Sequence, residues 1–79
     1  MKLIDPICGR TPDQISEYVE LAAADGMTPD AWVAAEEGTL DRNSGQFVCT
    51  ACYMAIGQPA MSFPQRWTAT PENLKPWLP

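Results

Sequence analysis

The chain contains no histidine. It has no imidazole for histidine-based catalysis and none to serve as a metal ligand. Basic side chains are scarce too. Lys2, Arg10, Arg42, Arg66 and Lys75 are scattered against ten acids, for a net charge of −5. Phosphate backbones repel such a chain, so general nucleic-acid binding is disfavoured. No apolar run approaches the ~20 residues of a membrane span. Met1-Lys2-Leu3-Ile4 is followed at once by Asp5-Pro6, which does not read as a secretory leader. The expected setting is therefore a reducing, cytoplasmic one, where thiols stay available. Cysteine is limited to three. An odd count cannot be used up by disulfides, which favours a metal or a free thiol.

Apolar residues make up 46% and charged residues 19%, which is a globular composition. Seventy-nine residues make one domain with a small core. A core of that size usually needs a staple such as a metal or a partner. The acids concentrate between Asp13 and Asp41. A solvated, solubilising face accounts for them, and a surface that meets a basic partner is the sharper alternative.

Local signals predict two consecutive helices. Thr11 is a candidate N-cap, Pro12 a first helical residue, and Gln14 the partner of a capping box. Ile15, Tyr18, Val19 and Ala22 recur at helical spacing up to the stop at Gly26, predicting a helix over about 12–25. GRTPDQI is then echoed by GMTPDAW, predicting a second helix over about 29–37. A third Thr-Pro-Glu at 70–72 predicts a single turn ended by Pro76. Asn43-Ser44-Gly45, between Thr39-Leu40-Asp41 and Gln46-Phe47-Val48, predicts a β-hairpin over about 39–48. A short helix is expected over about 50–57, stopped by Gly57 and Pro59. The last 22 residues hold five of eight prolines together with Phe63, Trp67 and Trp77. They are expected to form an extended arm, 58–79, that packs on the 1–57 domain or on a partner.

Cys49 and Cys52 form a Cys-x-x-Cys pair between the predicted strand and helix. A helix N-terminus at that point would favour thiolate anions. Near the start the chain reads Asp5-Pro6-Ile7-Cys8-Gly9, a CPxCG-like knuckle with aspartate in the first ligand position.

The order of knuckle, hairpin, CTAC at 49–52 and helix resembles a treble-clef zinc finger. The likeness spans about two thirds of the chain by element order, and about nine residues by motif. It implies a small α+β domain with two inserted helices and a structural Zn2+. Cys8, Cys49 and Cys52 carry over as ligands. Asp5 matches the fourth position but not its residue type. Carboxylate oxygen does bind zinc, at about 2.0–2.2 Å. Asp41, Glu36, Glu37, water or a second molecule remain alternatives for that position. A looser likeness is to small zinc-knuckle proteins of bacteriophages, which implies a host protein as partner.

Two enzymatic readings of zinc fail on sequence. A zinc deaminase needs a His-x-Glu or Cys-x-Glu element, and Cys8-Gly9-Arg10 is neither. An HNH-type nuclease, also built on a treble clef, needs a histidine. The expected role is protein interaction rather than catalysis. The alternatives are a thiol oxidoreductase using Cys49 and Cys52, and an acidic mimic of nucleic acid.

Overall fold

In the computed structural model, which describes residues 2–59 and 67–78, four short helices enclose two small cores. The first expected helix is divided. Pro12–Gln14 is a single 3-10 turn, and α1 runs Ser16–Ala24. Between them Ile15 is extended, with φ −113° and ψ 109°. That break seats the β-branched Ile15 in the core beside Leu3, Tyr18 and Phe47. Gln14 Oε1 accepts the Thr11 N–H at 3.0 Å, as the capping-box reading requires. At its other end α1 closes in a Schellman arrangement. Met27 N–H donates to Ala22 O at 2.8 Å and Gly26 N–H to Ala23 O at 3.1 Å. Gly26 takes φ +68°, which a side chain would oppose.

The second helix, α2, covers Pro29–Glu36 and begins as its sequence requires, with the Thr28 hydroxyl accepting the Ala31 N–H. α1 and α2 pack together over an aromatic trio. Tyr18 lies 5.6 Å from Trp32, and 5.7 Å from Phe47 in an edge contact. Phe47 and Val33 are fully buried. Phe47→Ala is expected to cost about 3–5 kcal/mol of unfolding free energy, the range for a truncated core aromatic. Urea denaturation measures this, and a loss below about 1 kcal/mol would contradict the packing.

The expected hairpin over 39–48 is not formed as a ladder. Its tip closes, with Asp41 N–H to Gln46 O and Gly45 N–H to Asp41 O, both at 2.8 Å. Beyond the tip the partners come from elsewhere. Ile4 N–H donates to Gly45 O at 3.0 Å and Phe47 N–H to Ile4 O at 3.1 Å, making an isolated parallel bridge. The Thr39 carbonyl accepts from Ala69 N–H at 2.7 Å. The Thr39 hydroxyl, not its backbone, meets Val48 N–H and O. Pairing with residues distant in sequence has displaced the local pairing. Among the described residues the only other bridge joins Asp5 to Arg10. Among the described residues the architecture is therefore a compact globule of four helices with almost no strand, so the expected α+β class is not shown.

α3 covers Thr50–Ala55, and α4 Pro71–Leu74. Thr70 caps α4 by accepting Asn73 N–H. Pro76 does not end this segment. It sits inside a following 3-10 turn, Lys75–Trp77, where a missing N–H is tolerated. Residues 67–78 supply a second core in which Ala69 and Leu74 are buried on Val48, with Ile7, Cys52, Tyr53 and Trp67 around them. Phe63, read as part of the arm, lies outside the described residues.

Candidate metal centre

The parallel bridge between Ile4 and Gln46 sets two segments side by side. One then continues into Asp5, the other into Phe47, Val48 and Cys49. The knuckle turns back at once, with Gly9 N–H to Asp5 O at 2.8 Å and Asp5 N–H to Arg10 O at 2.9 Å. Gly9 makes the turn at φ +73°. No atom crowds a Cβ placed there, so the backbone angle alone selects glycine. Cys49 is the N-cap of α3, and Cys52 lies in its first turn.

These elements bring Asp5, Cys8, Cys49 and Cys52 together. One carboxylate oxygen and three sulfurs all lie within 4.8 Å of one another, close enough to hold a metal ion. The three cysteines are free thiols. The other acids considered for the fourth position lie outside this cluster. Asp41 accepts from the Ser44 hydroxyl at 2.6 Å. Glu37 takes the Tyr18 hydroxyl on one oxygen and both Thr39 N–H and Thr39 hydroxyl on the other. Glu36 is exposed and outside the cluster.

Asp5 is completely buried. Its Oδ1 accepts Ile7 N–H at 2.8 Å and Cys8 N–H at 3.4 Å. Its Oδ2 accepts Cys49 N–H at 2.8 Å. Burial by itself would raise the carboxyl pKa. The amides of Cys49 and Ile7, with the two neighbouring thiols, overcome it and hold Asp5 below its ordinary range. A carboxylate has about four lone-pair directions. Three amides face this one, so a direction remains for a metal. The sequence identified Asp5 as a candidate ligand but missed its second role, as the acceptor that ties the knuckle to the start of α3. An Asx turn, in which Asp accepts the amide two residues on, was the available signal. The bond to Cys49, forty-four residues away, had none.

The thiols depart from the expectation of stabilised thiolates. Burial pushes Cys49 up to about 11, assisted by the Asp5 charge and opposed by the Cys52 amide. Burial also raises Cys52, as do Cys49 and Asp5 beside it. A six-residue helix supplies too small a dipole to offset a buried anion next to them. A divalent cation reverses this balance, because a coordinating thiol is deprotonated by the metal. Comparison with protein-family models, curated proteins and solved structures finds no match to this chain.

Proposed function

We propose that the chain is a small domain stapled by a zinc ion, and that its role is to bind another protein. The cluster of one carboxylate and three thiols carries this reading. Zinc is borderline-soft, takes four ligands, and accepts sulfur and carboxylate oxygen together. Asp5, Cys8, Cys49 and Cys52 would hold it, with a net charge of −2 on the site. Bound there, the ion contributes a cross-link between the knuckle and α3. The treble-clef likeness belongs to the same reading, with the parallel pairing of Ile4 in place of a regular hairpin. So does the likeness to phage proteins, which makes a host protein the partner. Val19 and Leu21 on α1, each about two-fifths exposed, offer apolar contact among Glu17, Glu20 and Asp25. A redox Cys-x-x-Cys pair works through a lowered thiol. Cys49 and Cys52 are both raised, which supports a structural role over an oxidoreductase one.

Native mass spectrometry of protein purified under reducing conditions is expected to show one zinc per chain. Zinc affinity is expected to climb with pH, because the three thiols must lose their protons on binding. Three protons released imply about a 1000-fold gain per pH unit near neutrality. A metal-free chain, or an affinity independent of pH, would refute the thiolate site.

A further inference from the structure

The three sulfurs of the cluster differ in access. Cys8 is exposed, Cys52 half-buried and Cys49 buried. Cys8 rides on the knuckle, whereas Cys52 sits on α3 and touches both cores. We propose that the centre is a hydroperoxide-sensitive release switch, in which Cys8 and Cys52 form a disulfide that expels the metal and replaces it as the staple. This rests on the zinc reading above.

The chemistry follows from access and order. Metal coordination keeps Cys8 as a thiolate, the form that attacks peroxide. Its sulfur takes one peroxide oxygen, the O–O bond breaks, and hydroxide leaves and is protonated to water. A sulfenic acid remains on Cys8. The Cys52 sulfur, at most 4.8 Å away, attacks that sulfenic sulfur and expels the second oxygen as hydroxide, again protonated to water. Two thiolates, one peroxide and two protons give one disulfide and two waters. The metal loses two of its four ligands, and Asp5 with Cys49 is too small a set to retain it.

Cys52 is the resolving partner for two reasons. Cys49 lies inside the core, with its amide fixed on Asp5. Cys52 faces the knuckle from the first turn of α3, with less of its side chain enclosed. A Cys8–Cys52 bond also joins the two segments that the metal joined. The oxidised chain should therefore stay folded after release, in contrast to the reduced, chelated chain.

The test uses the intact, zinc-loaded protein and hydrogen peroxide. A chromogenic chelator follows released zinc, blocked-thiol peptide mapping follows the cysteines, and far-ultraviolet circular dichroism follows the fold. Trypsin separates Cys8 from the other two thiols, and fragmentation of the linked peptide distinguishes Cys49 from Cys52. The expected result is one zinc released for every two thiols lost, a Cys8–Cys52 disulfide, retained helicity, and recovery of zinc binding after thiol reductant. A Cys49–Cys52 bond, an overoxidised Cys8 without a disulfide, or loss of helicity on release would each overturn the proposal. Zinc content before peroxide tests the underlying reading alone. A chain without zinc refutes that reading, and mapping of the same sample still decides which thiols pair.

Discussion

Stripping zinc from the reduced protein is expected to abolish its cooperative unfolding transition. The metal would join the knuckle at residues 5–9 to α3, two segments that otherwise meet through the Asp5 bond to Cys49 N–H and through the small second core, which Ile7 shares with Cys52 and Tyr53. Apparent zinc-binding free energies in small zinc domains reach about 10–16 kcal/mol at pH 7. Whole domains are stable by only about 5–15 kcal/mol. Losing the first is comparable to losing all of the second. The helices cannot resist alone, because α1 has nine residues and α2 has eight, below the ~12–15 at which isolated helices become marginal. Thermal circular dichroism with a membrane-permeant zinc chelator, against the zinc-saturated protein under reductant, measures the effect. A melting curve unmoved by chelation would remove the staple from the account of stability.

The second large effect is expected at Asp5. Asp5→Ala removes the proposed ligand and leaves the buried Cys49 amide and the part-buried Ile7 amide without their acceptor. Each unsatisfied buried donor costs about 1–3 kcal/mol, so the variant should lose stability beyond the loss of a ligand. Asp5→Asn separates the two roles. Its side-chain carbonyl still accepts one amide, but the anion is gone, so metal retention should fall more than the fold does. Asp5→Cys restores a sulfur at the ligand position. It should keep or tighten zinc retention while losing most of the bond to Cys49 N–H, because sulfur accepts weakly. Competition with a fluorescent zinc chelator reads metal retention, and urea denaturation of the zinc-saturated forms reads the fold. Equal zinc retention in the wild type, Asp5→Ala and Asp5→Cys would take Asp5 out of the coordination sphere. Equal stability of the zinc-saturated wild type and Asp5→Ala would remove its role as a tie.

The tie to Cys49, together with the proposed ligand role, would explain why aspartate stands at this position. A thiolate can hold a metal, but it accepts amide hydrogen bonds poorly. A carboxylate accepts them well and has enough lone pairs to retain one for an ion. The cost falls on the neighbouring thiols, which a buried negative charge raises. Metal binding at neutral pH then becomes an exchange of protons for the cation.

Much of the local structure was legible because its causes are local. Thr28 and Thr70 cap helices through their own hydroxyls. Gly26 stops α1 because its positive φ closes a Schellman turn within five residues. The three cysteines and Asp5 could be named as ligand candidates from residue type and spacing. The hairpin was not formed as predicted, although its turn residues do close the tip, because Ile4 and Ala69 take the backbone groups that a ladder would have used. Ile15 broke the first helix because burial in the core outweighed one more turn of helix.

By itself the sequence determined the helix starts at Thr28 and Thr70 and the stop at Gly26, the scarcity of bases and histidine, and the donor atoms on offer. Only the tertiary structure decided that the four donors meet and that Asp41 and Glu37 are committed elsewhere. It alone raised the Cys49 thiol and put the Asp5 carboxylate on the Cys49 amide. The physical reason is the same in each case. Caps and turns are set by bonds between residues a few positions apart, whereas the centre depends on a backbone pairing between Ile4 and Gln46 that no local pattern encodes.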